Sequence, residues 1–257
     1  MRVAAVLAAA LLAASPAQAE DAPICTDRPG KANGTCTVPA GRWQVESSVV
    51  DWLRLEAGGS DFEALTIGST FIKLGVSDRS DLQLGVTPYV RVTSDGDHAS
   101  GFGDIFVRYK HRLTSENSGV QIAAIPFVKL PTADGDIGNG KAEGGLSVPI
   151  SFTLAGPISM TLNPEVDWLA DGDGHGRHPA IVQAVALSAP VAPRLTLIGD
   201  LWASWNYDRD DLIRQASADL AAAFLVSDTV QIDAGANLGL TRDTADIELY
   251  AGASVRF

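Results

Sequence analysis

The chain has 257 residues, and its 19 Lys and Arg against 31 Asp and Glu leave a formal charge of −12. A balance this acidic excludes a nucleic-acid partner, because neutralising phosphates needs clustered basic side chains. The length accommodates one large all-β domain or two smaller ones.

Residues 1–19 read as a secretory signal peptide. Arg2 supplies the positive n-region, "VAAVLAAALLAA" the apolar stretch, and Ala17-Gln18-Ala19 the small-residue cleavage site. The apolar run falls short of the roughly 20 residues of a spanning helix. Nothing comparable follows it, so a mature chain that enters a membrane does so with strands. Residues 20–41 are expected to form a periplasmic N-terminal segment. Cys25 and Cys36 are the only cysteines, and an even count in an exported chain reads as a disulfide. Closing a loop of about 12 residues restricts the unfolded chain by on the order of 3 kcal/mol. A metal role suits the pair poorly, since no His or further Cys lies near enough to complete a tetrahedral set.

From Arg42 onward, alternating segments predict strands near 42–53, 64–76, 81–93, 103–113, 120–131 and 144–155. Six more follow near 158–169, 179–191, 194–207, 213–226, 229–241 and 247–257. The second must break its alternation near Ser69, where a bulge restores it. "AIVQAVALSAPV" has no clean faces and reads as a lumen patch lined with apolar side chains. "LIRQASADLAAAFLV" leaves a short helix open, although Ala218, Leu220, Ala222, Phe224 and Val226 alternate as in a strand.

The connections alternate in character. "VSDRSD", "TSENSG", "LAGP", "VAPR" and "VSDT" are short. "EAGGSD", "SDGDHASGFG", "TADGDIGNGKAEGG" and "ADGDGHGRH" are longer and rich in Gly and Asp. Short turns at one end and long loops at the other is the layout of a transmembrane up-and-down antiparallel β-barrel, here of about twelve strands over residues 42–257. Alternation alone also fits a soluble sandwich; the aromatics favour the barrel. Trp52, Trp168, Trp205 and Tyr207 cluster at the predicted outer strand ends. Trp43, Phe152, Phe224 and Phe257 cluster at the inner ends, giving two interfacial girdles.

If the apolar face meets lipid, the other lines the lumen. Arg91, Arg108, Lys110, Arg112 and Lys129 then form a basic wall. Glu165, Asp167, Asp200, Asp219, Asp233 and Glu248 form an acidic one. Opposed walls set up a transverse field that orients polar solutes. The competing reading is that the charges pair and fill the lumen, and a twelve-strand barrel is wide enough for either.

Two local motifs point elsewhere and fall short. "DGDGHG" (171–176) opens like a calcium loop, but position twelve is Val182 where a bidentate Glu belongs. Neither His175 nor His178 in this loop has a visible metal partner set, and no metal or cofactor is expected. "DHASG" sets His98 two residues before Ser100, as in outer-membrane phospholipases. Those enzymes follow the Ser with Asn-Gly and add an Asn on the next strand, whereas Gly101-Phe102 stands here and no Asn lies between Ser100 and Asn117. The pair is also expected in a loop, so no catalytic residue is assigned. His111 is expected at an interface near a turn.

Over nearly the whole mature chain, the sequence resembles the outer-membrane "transporter" family named for the meta-cleavage pathway of phenol degradation. The resemblance rests on the order and spacing of "CTDRPGKANGTCTVPAGRWQVES", "GFGDIFVRYKHRL", "IPFVKLPTADGDIGNG", "QIDAGANLGL" and the terminal Phe. It implies an integral protein of the Gram-negative outer membrane, in contact with lipid, with a role in substrate entry and an aromatic solute. An apolar aromatic substrate sits awkwardly with so charged a lumen. The expected function is a non-enzymatic channel or transporter for passive passage of small solutes. A lipid-modifying barrel enzyme and a closed structural or adhesive barrel are the alternatives. No TonB box or plug-sized N-terminal domain is visible, which argues against energised uptake. Phe257, ending an amphipathic strand, looks like the signal read by barrel-assembly machinery.

Overall fold

The computed structural model describes residues 22–57, 59–135 and 137–257. The expected signal peptide lies outside the described residues. Fifteen strands form a single antiparallel sheet. They are β1 (Trp43–Ala57), β2 (Ser60–Ser77), β3 (Ser80–Val86), β4 (Tyr89–Ser94), β5 (Asp97–Gly101), β6 (Ile105–Arg112), β7 (Val120–Leu130) and β8 (Glu143–Ser147). Next come β9 (Ile150–Ala155), β10 (Ile158–Ala170), β11 (Arg177–Ala192), β12 (Leu195–Tyr207), β13 (Leu212–Ser227), β14 (Val230–Gly239) and β15 (Ile247–Arg256). Three passes are interrupted, so β3–β4, β5–β6 and β8–β9 each make one span of a twelve-span cylinder. The first strand pairs with the last, Gln44 opposite Arg256 through Arg54 opposite Ile247, and the sheet closes. Closure removes the free edges that an open sheet exposes.

Burial is inverted relative to a soluble domain, and this excludes the sandwich. Buried residues include Gln44, Lys73, Asp81, Lys110, Asn163, Asp200, Asp233 and Ser254, while Leu82, Leu146, Val166, Leu201, Leu220, Ile232 and Leu238 are exposed on the outside. An apolar exterior around a polar interior is what a bilayer demands of a barrel. Trp43, Phe224 and Phe257 lie exposed toward the short-turn end, and Trp168, Trp205 and Tyr207 toward the other. The segment that left a helix open is strand β13 throughout.

The bulge expected near Ser69 is present at Gly68, which adopts φ +73°. That left-handed value costs an L-residue about 1–2 kcal/mol and suits glycine. Its neighbours bend with it. Pairing shifts between Ser48 and Val50 on β1, and Thr87-Pro88 separates β3 from β4. Residues 102–104 separate β5 from β6, with Gly103 N–H donating to Thr87 O at 2.9 Å. One line of irregularities therefore crosses four adjacent spans. Because side chains alternate with period two, each inserted residue exchanges the inward and outward sets beyond it.

Two connections expected to be long are tight hairpins. β1 extends to Ala57 and β2 begins at Ser60, and β4 and β5 turn at Asp95-Gly96, both at positive φ.

Candidate functional site

Residues 22–42 do not hang beside the barrel as a free periplasmic segment; they enter the short-turn end and occupy its lumen. Ile24 N–H donates to Asp228 O at 2.7 Å, and Arg256 donates to Ala22 O at 2.6 Å, so entry is beside the closing strand. The chain returns over β2 at Gly75, where any side chain would collide with the Val38 and Pro39 carbonyls. Cys25 and Cys36 form the expected disulfide.

Asp27 anchors the segment on one side. Its carboxylate receives Lys73 Nζ at 2.6 Å and also Lys110 Nζ, with an Arg108 Nη2 at 4.0 Å. Burial alone would push the Asp27 carboxyl up, but the adjacent Lys110, Lys73 and Arg108 together hold it well below the usual carboxylate range. Lys73 also contacts Glu46. On the opposite side, Arg28 Nη2 meets Asp233 Oδ1 at 2.7 Å and its Nη1 donates to Ser48. Lys31 Nζ lies 3.6 Å from Glu248, 4.0 Å from Asp219 and 4.7 Å from the centre of the Trp202 ring. Lys31 N–H donates to Asp200 Oδ2 at 2.8 Å, and Asn33 N–H to Asn163 Oδ1 at 2.7 Å. The segment thus carries its acid to the basic side and its bases to the acidic side.

The remaining basic residues divide among levels. Arg112 lies near the short turns, donating to Asp78 O at 2.9 Å. Lys129 sits toward the outer end between Glu143 (2.7 Å) and Asp104 (3.1 Å). Arg91 is on the exterior. It pairs with Leu65 and Ser100, in the row of Trp52 and the exposed Leu249. The extra residue at Thr87-Pro88 has inverted its face, which removes it from the lumen set. Of the acidic residues, Asp200, Asp219, Asp233 and Glu248 meet the segment as above. Glu165 and Asp167 stand higher on β10, where Asp167 Oδ1 is buried without a hydrogen-bond partner.

Above the segment the lumen opens. A cavity of about 570 Å³ reaches from Asp27, Arg28 and Asn33 past Asp51 to Asp104 and Ile137. A second, about 340 Å³, is lined by Phe71, Phe106, Phe127, Lys31, Arg108 and Glu165. Arg108 borders both. Its guanidinium stacks 4.7 Å above the Phe71 ring and donates to Asn33 Oδ1 at 2.5 Å, spanning wall and segment. The faceless segment at β11 turns small residues inward along its length, from Ala180 near the outer end to Ala184 and Ala186, all buried. Ala186 lines a space shared with Pro29, Gly30 and Ala32.

Sequence reasoning missed Asp27, Arg28, Lys31, Asn33, Glu46 and Lys73. The signal was available for Lys73, whose position on the inward face of β2 follows once the bulge is counted. Glu46 follows from the alternation of β1, whereas Asp27, Arg28, Lys31 and Asn33 carry no local signal of where they dock.

His98 and Ser100 lie on β5, not in a loop, because the hairpin is tight. Both are exposed and face outward with Arg91. His111 lies outside too, bonded to Ser80 Oγ at 2.8 Å and stacked on Tyr109. His178 does have partners. Its Nδ1 stands 2.8 Å from Asp171 Oδ1 and 3.6 Å from Asp208 Oδ2, at the outer ends of β10–β12. The sequence concealed this because Asp208 lies thirty residues away.

The fold is that of solved outer-membrane proteins. An outer membrane channel from Pseudomonas putida F1 superposes with a TM-score of 0.67 at 16% identity, covering 90% of this chain and 99% of that one. The translocator domain of the autotransporter NalP from Neisseria meningitidis gives 0.53 at 12% identity, over 86% and 90%. The NanC porin gives 0.52 at 9%, over 83% and 98%. No curated protein sequence matches the chain. A family model matches residues 26–257, nearly all of the described chain, and the chain belongs to the family described as the putative MetA-pathway of phenol degradation.

Proposed function

We propose that the protein is an outer-membrane channel for passive passage of small polar solutes, with the N-terminal segment as its internal filter. The observation that carries this reading is the pair of cavities meeting at Arg108, directly above the segment. A barrel that merely filled itself with side chains would have no reason to keep such space beside a guanidinium. The exposed apolar exterior and its aromatic ends support residence in the bilayer, and the N-terminal residues 1–19 support export by signal peptide. The basic residues Arg108, Lys110 and Lys129 and the acidic Glu165, Asp167, Asp200, Asp219, Asp233 and Glu248 are proposed to set the field along the path. Lys31 and Glu165, on the same cavity as Arg108, favour solutes carrying both signs of charge. The rings of Phe71, Phe106 and Phe127 leave room for one with an aromatic or other flat apolar part. Phe257, exposed at the end of β15, is proposed as the mark read during barrel assembly.

Reconstitution in planar bilayers tests the proposal. Discrete conductance steps are expected, and Arg108→Glu should move the reversal potential in a salt gradient toward cation selectivity. Absence of any conductance or solute flux from folded protein would sink the channel reading. Conductance with a reversal potential indifferent to Arg108→Glu would remove Arg108 from the path.

A further inference from the structure

We propose that Asp171, His178 and Asp208 bind one first-row divalent cation of the Zn²⁺ type, tying the 171–176 connection to the 208–211 connection at the outer rim. The proposal is independent of the channel reading. Its residues come from three neighbouring spans: Asp171 directly follows β10, His178 is the second residue of β11, and Asp208 directly follows β12. One ligand atom from each lies within 4.8 Å of the others.

The donors are buried and incompletely used. The side chains of His178 and Asp171 are 4% and 1% exposed. Among the described residues Asp171 Oδ2, on the carboxylate that faces His178 Nδ1, has no hydrogen-bond partner, which is costly for a polar atom shut away from water. Asp208 is pre-set for the task. Its Oδ2 accepts from Gly172 N–H at 2.8 Å and its Oδ1 from Asp210 N–H at 3.0 Å. Arg209 keeps its Nε 3.5 Å from Asp171 Oδ2, with its own side chain 72% exposed.

One imidazole nitrogen with two carboxylates suits a borderline cation, whereas Ca²⁺ takes six to eight oxygens. Donors about 2.0–2.2 Å from Zn²⁺ in tetrahedral array are about 3.3 Å apart. The observed 2.8 and 3.6 Å from His178 Nδ1 bracket that separation. The rival account is the same three side chains held against one another with no metal. Cation binding would stiffen the pore mouth, since Lys141, from the 131–142 connection, already donates to Gly174 O in the same loop.

The test uses the full-length chain refolded in detergent, with Zn²⁺ and Co²⁺ as probes. One equivalent of Zn²⁺ is expected to survive gel filtration, and Co²⁺ should develop ligand-field absorption. His178→Gln and Asp208→Asn should each weaken binding about tenfold or more. Asp173→Asn and His175→Gln, exposed in the same loop, should leave it unchanged. No stoichiometric Zn²⁺, no Co²⁺ bands, or equal losses in the two sets of variants would overturn the proposal. If the cluster variants fail to fold, the unaltered protein decides: Zn²⁺ should slow proteolytic nicking of residues 171–176 relative to chelator, and an equal rate would overturn it.

Discussion

The two halves of the barrel solve the same problem differently. Both must house charged side chains inside an apolar cylinder. In the short-turn half, charges on the wall meet partners from residues 22–42: Lys73 and Lys110 on Asp27, Asp233 on Arg28, Glu248 on Lys31. In the outer half the same wall borders open volume, about 570 Å³ of it, and the charges pair along the wall, as Lys129 does with Glu143 and Asp104. What differs is the presence of twenty residues of chain, not the wall. A charged lining is therefore neither a plug nor a pore until something is or is not laid against it.

The sharpest way to break that contrast is Asp27→Ala. It strands Lys110, 1% exposed, as a buried cation and leaves Lys73, 3% exposed, with Glu46 alone. Loss of one partner of a buried pair costs roughly 3–5 kcal/mol. A lowered unfolding temperature in detergent, together with larger single-channel conductance as the segment leaves, is the expected outcome. Acid should not imitate the substitution. Asp27 has a depressed folded pKa, so its contribution is complete above its unfolded value, about 3.9, and is lost only as pH falls through the folded one. Between pH 7 and pH 4 the disulfide should stay equally protected from a phosphine reductant. Accelerated reduction at pH 4 would contradict the assignment.

A smaller effect is expected at the border between the halves. Gly68→Ala puts a Cβ on a residue at φ +73°, 3.3 Å from Pro88. The cost should be about 1–2 kcal/mol, read as an unfolding shift with the lower segment still docked. Smallest of all should be Arg91→Ala. Being exposed on the exterior, it should change stability by no more than about 0.5 kcal/mol, and leave ion selectivity untouched where Arg108→Glu alters it.

The strands were legible because period two is imposed by the backbone itself, and nearly every span begins and ends close to where the alternation does. Inward or outward orientation was legible only up to a bulge. Arg91 was misassigned because one extra residue at Thr87-Pro88 reverses everything after it, and β4 is too short and polar to announce the reversal. The destination of residues 22–42 was not legible at all. Ion pairs across two hundred residues leave no local pattern. The cluster at Asp171, His178 and Asp208 sits between these cases. Carboxylates just past the ends of two strands, with a His at the start of the strand between them, converge by antiparallel pairing alone, so the topology predicts it once the strand order is known.

The pairing of Arg28 with Asp233 spans 205 residues, and this fixes an order of events. The stopper is made first and its acidic seat last, on the two strands that complete the cylinder. Until β14 and β15 arrive, Arg28 and Lys31 have no Asp233 or Glu248 to meet. Closing the cylinder and completing the seat for Arg28 draw on the same two strands, so a chain cut short before Asp233 loses both the closure and that contact.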